Sequence, residues 1–410
     1  MIARYYPRIL AVSAVLVFFT NLCLYLYSVE LVHFPPLYWI IGLGIAASPL
    51  ILSRNYLEIL GRSLVARWCY GFVLISGLWL IFEPSASEKV FQEFQTRLLS
   101  VLFILTMLCI FSKDSVQLWG RRAIFGAVLL ALVLNTFELF SPMTFSEVMG
   151  RSAGLYINPN QSAAALVLGL VVTIGLVPHR YRMLYVVLVG LGVFLTFSRS
   201  SLIGWALTAV VFIKTGQLSV RRSLLVGCGM LCVALALMIW QWDRIQYRLE
   251  DLGVLNKNVL ARLDWFNNPD VSDMSSTERK EVAEFGWAMF SEKPVLGNGL
   301  GASVNWTREK SSHNEYLNMM VDHGIIGVFF LPILVLLTQW RAQGEVRHIG
   351  FAFAIFVLYL GFFSHNILTE RHILMTFALL ECMAMSSRSI QATDQRLPDE
   401  GSSYNHCFAR

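Results

Sequence analysis

The sequence contains little charge: only 14% of its 410 residues are Asp, Glu, Lys or Arg, whereas soluble proteins average about 25%. Hydrophobic residues make up 56% of the chain, and the mean hydropathy is +0.59. This composition excludes an ordinary soluble domain and indicates a polytopic protein surrounded by membrane lipids. The net charge of +5 is compatible with nucleic-acid binding, but its distribution matters more than its sum, and we predict no nucleic-acid partner.

A disulfide framework is also missing. The seven cysteines lie mostly inside apolar runs, and the one long polar segment contains none, so no covalent scaffold is predicted there. Residues 1–27 resemble a signal peptide, with Arg4 and Arg8 before an apolar run. Because no small-residue cleavage site follows, we interpret this run as a retained first span.

Apolar runs near the length that a bilayer needs, about 17–25 residues, predict an all-α protein with about twelve transmembrane helices. The predicted spans are 9–27, 36–53, 65–82, 97–111, 123–140, 161–177, 181–197, 201–213, 222–240, 314–338, 349–363 and 372–386. They divide the chain into helices 1–9 (1–240), one long, partly helical loop (241–312), helices 10–12 (313–386) and a polar tail (387–410). We predict that the tail is disordered.

Positive charge predicts the orientation, since cytoplasmic loops are enriched in Lys and Arg. With the N-terminus in the cytoplasm, eighteen Lys and Arg residues fall on the cytoplasmic side, outside the long loop. The opposite side then has only five: Lys89, Arg97, Arg151, Arg199 and Arg371. This bias predicts that both termini are cytoplasmic and that the long loop faces outward.

The stretch from Ser275 to Gly327 is the most informative part of the chain. A capping-box pair starts a helix at Ser275, and Pro294 ends it. A glycine-rich turn, GNGLG at 297–301, follows, and such a turn most often reflects backbone geometry alone. His313 and Asn314 then precede a new apolar helix.

Two arginines are candidates for binding an anion on the outer side. Arg199 lies in a short turn, TFSRSSLIG, where it is either an interfacial arginine whose tip reaches water or a clamp flanked by serine donors. Arg279 shares a helical stripe with apolar residues and so points toward the membrane, as a salt-bridged residue or as a second cation for the same ligand. The stripe consists of Arg279, Val282, Ala283, Gly286 and Phe290.

His313 is the best candidate for proton transfer, because the unperturbed imidazole pKa near 6.5 suits that role at neutral pH. A lone histidine is more often structural. The rival base is His365, in a second Ser-His-Asn sequence that precedes Glu-Arg-His at 370–372. Asp322 and His323 are either satisfied core residues or orienting partners.

Asn160 lies within the sequence Asn158-Pro159-Asn160-Gln161, and Arg151 precedes that sequence. Both residues fall on the predicted outer side, although this segment could simply start a helix. The polar set provides cations and a base, without a metal cluster or a nucleotide-binding loop. It suits a diphosphate leaving group, as in glycosyl transfer from a lipid diphosphate. A phosphatase or a transporter of an anionic substrate fits the same set.

Four segments in this order resemble the O-antigen ligase and polymerase superfamily of bacterial envelope polysaccharide enzymes. They are GRSAGLYINPNQSA, LTFSRSSLIG, ERKEVAEFGWAMFSEKPVLGNGLG and SHNEYLNMMVDHGIIG. The last fits the ligase-type pattern of His, Asn, nine residues, Gly, two residues, Gly, from His313 to Gly324 and Gly327. The resemblance covers roughly residues 150–340, and the first five spans match only as apolar helices.

The resemblance implies a metal-independent, inverting glycosyltransferase of the inner membrane, without a cofactor and with a periplasmic site. Its donor would be a polysaccharide linked to undecaprenyl diphosphate. Arg199 matches the arginine of the family's SR motif, Arg279 the arginine before the GxG segment, and His313 the ligase's candidate base. One departure is the eight-residue spacing between Arg279 and Trp287, which leaves Lys280 as an alternative.

Within the superfamily, the resemblance favours the O-antigen ligase, whose acceptor is lipid A–core. The alternative is the O-antigen polymerase, which uses the same lipid-linked donor. A twelve-span transporter of polysaccharide or lipid is a third interpretation. Transporters usually place polar residues at the bilayer midplane on broken helices, whereas here they gather on one side of the membrane.

Overall fold

The computed structural model describes residues 2–81, 87–219, 274–305 and 312–394. Every regular element in these ranges is helical, in agreement with the predicted all-α membrane class. The predicted ninth span, residues 222–240, lies outside the described residues, as do residues 241–273 and 306–311 of the predicted loop. Residues 395–410 of the predicted tail also lie outside them.

The α-helices of the described ranges are numbered in chain order. They are α1 (Ile2–Ala14), α2 (Leu22–Ser28), α3 (Pro36–Ile51), α4 (Arg54–Arg62), α5 (Leu64–Ile81), α6 (Glu88–Ile110), α7 (Asp114–Phe140), α8 (Pro159–Thr173), α9 (Arg182–Leu195), α10 (Arg199–Lys214), α11 (Met274–Glu292), α12 (Ala302–Asn305), α13 (Glu315–His323), α14 (Phe330–Thr338), α15 (Gly344–Leu360) and α16 (Arg371–Asp394). A π-helical turn covers Val15–Phe19, and 3-10 turns cover Gly154–Tyr156, Ile174–Leu176, His179–Tyr181 and Gly324–Phe329.

Five helical segments of the described ranges are long and apolar enough to cross a membrane. They are Leu64–Ile81, Glu88–Ile110, Asp114–Phe140, Pro159–Leu176 and Glu315–Thr338. A sixth is formed if Tyr5–Phe19 and Leu22–Ser28, which meet at a 48° bend, count as one span. These segments support a multi-pass membrane protein. The number of twelve stays a prediction, because α3, α9, α10 and α15 are apolar but only 14 to 17 residues long.

At least three helices extend well beyond their predicted spans, and α7 begins at Asp114 rather than at 123. The other two are α6 and α16. α6 begins at Glu88 rather than at 97, after Ser87, whose hydroxyl accepts a hydrogen bond from the Val90 N–H at 3.4 Å. α16 continues to Asp394, through the predicted start of the tail at 387. In both helices the added turns are polar, so a hydropathy window does not count them.

The predicted tenth span is divided into α13, the 3-10 turn Gly324–Phe329 and α14. The division occurs where the backbone of the glycine-rich turn packs directly against the backbone at the end of α13. A Cβ on Gly297 would lie 2.4 Å from the Asp322 carbonyl oxygen, and a Cβ on Gly324 would lie 2.3 Å from the Val295 carbonyl oxygen. Both glycines also have a positive φ, +77° and +67°, so these positions require glycine for two reasons.

Arg97 lies inside α6 and is buried, with a side chain only 2% exposed. Its Nε donates to Glu93 Oε1 at 2.9 Å, and its Nη2 donates to Asp322 Oδ2 at 2.5 Å. Its Nη1 contacts Nε2 of His323, which is also buried. An ionised side chain inside a membrane bundle is stable only with such partners. Arg97 therefore pairs α6 with the end of α13 in the described fold.

Asp322 extends this network to the glycine-rich turn. Its Oδ1 accepts a hydrogen bond from the Ser303 N–H at 2.9 Å, and its carbonyl oxygen accepts one from the Gly299 N–H at 3.2 Å. Trp79 Nε1 donates to the Leu296 carbonyl oxygen at 2.8 Å. The segment that follows α11 is therefore attached to α5, α6 and α13, and α11 packs on α13 through Phe290, Leu317 and Val321.

We expect Arg97→Met and Asp322→Leu each to destabilise the protein by about 3–5 kcal/mol, because each leaves a buried charge without its partner. The double variant should lose less than the sum of the two. Thermal unfolding of the detergent-solubilised protein measures these effects. Arg62→Ala is the matched control, since Arg62 pairs with Glu58 on the exposed surface and should change stability by less than about 1 kcal/mol. Equal losses in Arg97→Met and Arg62→Ala would contradict the expectation.

Candidate active site

Two histidines from separate loops lie side by side. The rings of His313 and His365 are T-shaped, with centroids 5.1 Å apart and an interplanar angle of 76°. His313 immediately precedes the cap of α13 and has a φ of +51°, and His365 follows α15 in the 361–370 loop. Both line a cavity of about 80 Å³, which we name the histidine cavity. The two predicted rivals for the base are therefore neighbours in one site.

Glu315 joins the two loops that carry these histidines. Its backbone N–H donates to the Gly361 carbonyl oxygen at 2.8 Å, and its Oε2 accepts from the Ile367 N–H at 3.0 Å. The side chain is buried, with 1% of the residue exposed. Sequence reasoning missed this residue, although an acidic residue in the first turn of an apolar helix was a signal for it.

Arg199 is the first residue of α10 and is half-buried beside the histidine cavity. Ser200 and Ser201, the next two residues, line that cavity. Ser198 occupies the N-cap position of α10 without a capping hydrogen bond, and its hydroxyl donates to Ser201 Oγ at 3.2 Å. The start of α10 therefore brings Ser200 and Ser201 of the SR segment into the cavity that His313 lines.

Arg151 and Asn160 are hydrogen-bonded to each other, with Arg151 Nη2 donating to Asn160 Oδ1 at 2.9 Å. Arg151 Nε also donates to the Thr196 carbonyl oxygen, at 2.8 Å. Asn160 lies in the first turn of α8 and lines the histidine cavity, whereas Arg151 is buried behind it. This geometry favours a positioning role for Arg151, between the start of α8 and the turn before α10.

The loop that carries Arg151 is held by a buried carboxylate. Glu138, near the end of α7, accepts hydrogen bonds from the backbone N–H groups of Phe145, Ser146, Ala153 and Gly154. Hydrogen bonds from several N–H groups satisfy the acceptor atoms of a buried carboxylate. Sequence reasoning missed Glu138, because its partners are seven to sixteen residues away and carry no side-chain signal.

Asn314 is the N-cap of α13. Its Oδ1 accepts a hydrogen bond from the Leu317 N–H at 3.0 Å, and its own N–H donates to Ser312 Oγ at 3.2 Å. Its side chain also lines an apolar groove described below. The structure thus gives Asn314 a capping role that fixes the backbone beside His313. Its predicted contact with substrate stays a prediction.

Arg279 lies in α11, but its side chain is outside the described residues. The stripe predicted to face the membrane is recognisable in its later members. Val282, Gly286 and Phe290 are buried, whereas Glu281 and Glu284 are exposed. The membrane-facing orientation of Arg279 stays a prediction from helical spacing, and Lys280, the next residue, is exposed.

A large apolar groove lies next to the histidine cavity. It has a volume of about 970 Å³ and lies between α11 and the broken span α13–α14. Its apolar walls include Trp287, Ala288, Met320 and Phe329, with Lys280 at its α11 side. Asn314 lines the groove and His313 lines the cavity, so the two spaces adjoin across one residue.

Burial shifts the pKa values of two groups in the 361–370 loop in opposite directions, and both shifts favour the neutral form of the group. Burial, and secondarily the charge of His313, lowers the pKa of His365 to about 4, so His365 is neutral at pH 7. Burial raises the pKa of Glu370 to about 7, with Arg371 and a hydrogen bond from Asn366 opposing that rise. Glu370 also accepts a hydrogen bond from Gln161 Nε2, and both residues line the histidine cavity. The cavity therefore contains a proton-accepting carboxyl group that sequence reasoning did not select.

A family model described as O-antigen ligase matches residues 184–332. The match covers a little over a third of the chain, so it shows a likeness to that family over this range. The match confirms the predicted resemblance to the O-antigen ligase and polymerase superfamily, and it includes Arg199, Arg279 and His313. It supports a membrane enzyme acting on lipid-linked polysaccharide, without separating ligase from polymerase. No curated protein and no solved structure matches the chain.

The range matched by the family model covers only part of the site. Asn160, His365 and Glu370 lie outside residues 184–332, before or after the matched range. Within the described ranges, no group of three or more His, Cys, Asp or Glu residues could hold a metal ion. Metal independence stays a prediction from the resemblance.

Glu370→Gln tests the raised pKa. The pKa of Glu370 in the folded protein, about 7, exceeds the ordinary value of 4.5. The contribution of the protonated carboxyl group to folding stability is therefore fully present below pH 4.5 and is lost as the pH rises through 7. Gln does not titrate, so the stability of the variant relative to the unsubstituted protein should increase by about 2–3 kcal/mol between pH 4.5 and 8. Thermal unfolding across this range measures it. Exposed Glu147→Gln should show no such trend, and a flat difference for Glu370→Gln would contradict the shift.

Proposed function

We propose that this protein is an O-antigen ligase of the bacterial inner membrane. It transfers O-polysaccharide from undecaprenyl diphosphate to lipid A–core on the periplasmic side, and both its termini are cytoplasmic. The observation that carries the proposal is the histidine cavity, where His313, His365, Asn160 and the start of α10 meet beside a large apolar groove. The family match supports the same class of reaction.

The proposed reaction needs one base and cations for the leaving group. A ring nitrogen of His313 takes the proton of the acceptor hydroxyl, and the hydroxyl oxygen bonds to the anomeric carbon of the donor sugar. The bond from that carbon to the diphosphate oxygen breaks with inversion, and undecaprenyl diphosphate leaves with the electron pair. Arg199 and Arg279 stabilise the charge that develops on it. No metal is required for these steps.

His313 is favoured over His365 as the base. A general base is most effective when its pKa lies near the working pH. Burial lowers the pKa of His365 to about 4, which makes that ring a weak base. Its neutral, T-shaped contact instead orients the His313 ring. His313 also adjoins the groove through Asn314, where the donor would enter.

The apolar groove fits the isoprenoid chain of the donor. A chain of this kind offers only hydrocarbon, and the groove walls are almost entirely apolar, so burial there is favourable. Lys280 lines the α11 side with Glu284, whose carboxylate lies 4.0 Å from its Nζ, and a diphosphate would take the place of that exposed partner. Arg279 is the preceding residue. The donor would then extend from the groove, past His313, into the histidine cavity.

Deletion of the gene in a strain with smooth lipopolysaccharide tests the proposed function. Loss of the whole O-antigen ladder on a gel, with long polymer accumulating on undecaprenyl diphosphate, is the expected result. A core that carries a single repeat unit would instead identify a polymerase, and an unchanged ladder would exclude both enzymes.

His313→Ala should lower transfer by about 10²–10⁴-fold, the usual contribution of general base catalysis. His365→Ala should lower it less, because that residue orients the base. The measurement is transfer between purified lipid-linked donor and lipid A–core acceptor. His179→Ala, on an exposed turn before α9, is the matched control and should retain full activity. Full activity of His313→Ala with loss in His365→Ala would reassign the base to His365.

A further inference from the structure

A second polar cavity lies beside the histidine cavity. It has a volume of about 220 Å³ and is bounded by α3, α6 and the segment where the 361–370 loop enters α16. Its lining contains one charged side chain, Arg371, together with amide and hydroxyl groups from one face of α6. We name it the arginine cavity. None of its residues belongs to the matched range 184–332.

Arg371 has hydrogen-bonding capacity that the described residues do not use. Its Nε is buried without a hydrogen-bond partner in the described ranges. The neighbouring carboxylate is engaged elsewhere, since Glu370 Oε1 accepts from Gln161 and Oε2 lies 3.9 Å from His372 Nδ1. Arg371 is the one charged side chain that lines the arginine cavity, so an anionic group bound there would be paired with its guanidinium group.

The α6 wall suits a sugar rather than a bare ion. Gln92, Gln95, Thr96 and Ser100 line it at helical spacing. The Thr96 and Ser100 hydroxyls donate to the Gln92 and Thr96 carbonyl oxygens, both at 2.9 Å, which leaves their oxygen lone pairs able to accept. Apolar side chains such as Leu99 complete the lining. Amides, hydroxyls and aliphatic groups together match the hydroxyls and C–H faces of a pyranose ring.

The three spaces follow one another along a single segment of chain. Leu358 and Phe362 line the apolar groove. Residues 363–366 and Glu370 line the histidine cavity. Thr369 and Arg371 line the arginine cavity, so residues 369, 370 and 371 alternate between the two cavities. A ligand held by Arg371 would therefore lie next to the base, with the groove already assigned to the donor.

We propose that the arginine cavity binds an anionic sugar of the acceptor glycan, through its phosphate or carboxylate group, and thereby presents the acceptor hydroxyl to the histidine cavity. The proposal rests on the proposed ligase function for the identity of the acceptor. Arg371 clamps the anion, and the α6 amides and hydroxyls select the sugar. The site then orders the two substrates on opposite sides of the histidine pair.

The first experiment measures binding without catalysis. The full-length protein in nanodiscs is titrated with phosphorylated core oligosaccharide, released from lipid A, by calorimetry. Arg371→Gln should weaken binding about tenfold, which corresponds to 1.4 kcal/mol. Enzymatically dephosphorylated oligosaccharide should bind the unsubstituted protein about tenfold more weakly, and Arg371→Gln should weaken that binding no further. Equal binding of both oligosaccharides by the unsubstituted protein would overturn the proposal.

The second experiment separates the two substrates kinetically. Arg371→Gln should raise the KM for the lipid A–core acceptor about tenfold and leave the KM for the lipid-linked donor within about twofold. Gln95→Ala, at an exposed position of α6, should raise the acceptor KM about threefold without a risk to folding. A raised donor KM with an unchanged acceptor KM, in either variant, would assign the cavity to the donor and overturn the proposal.

The two proposals fail in different ways. Loss of activity in His313→Ala together with unchanged oligosaccharide binding in Arg371→Gln would leave the proposed reaction standing and exclude the acceptor site. Phosphate-dependent oligosaccharide binding that requires Arg371, in a protein without ligase activity, would support the anionic-sugar site and exclude the reaction.

Discussion

The buried ion pair between Arg97 and Asp322 is the interaction on which the outer part of this protein depends. It joins the middle of α6 to the end of α13 inside the bundle, where a lone charge would be unfavourable. The same Asp322 accepts backbone N–H groups from Gly299 and Ser303. The turn after α11 is therefore tied to α6 through Asp322, in addition to its contacts with Trp79 and with the backbone of α13.

The candidate site is assembled mainly by backbone and carboxylate contacts rather than by its catalytic side chains. Glu315 joins the loops of His313 and His365, and Glu138 holds the loop of Arg151. An apolar groove, a small polar cavity and a cavity lined by Arg371 follow one another around these loops. In the proposed reaction, this succession would give a lipid-linked donor and a charged acceptor separate approaches to one base.

Local patterns in the sequence predicted the parts of this site with local causes. The apolar stripe of α11 is buried at Val282 and Phe290, a helix begins after His313 and Asn314, and the SR segment starts α10. Helical periodicity and capping act over one or two turns, so they are readable without the fold. Arg97, by contrast, was counted only as an outward charge, because its partners lie 225 and 226 residues away in the chain.

By itself, therefore, the sequence determined an all-helical membrane protein, an O-antigen ligase family resemblance and a short set of polar candidates on one side. Hydropathy and periodicity are properties of single segments, which is why they sufficed for these conclusions. Only the tertiary structure decided that His313 and His365 share a cavity, that Arg151 supports Asn160, and that Arg371 lines a separate space. Those relations depend on which helices pack together, and packing is a property of pairs of segments distant in the chain.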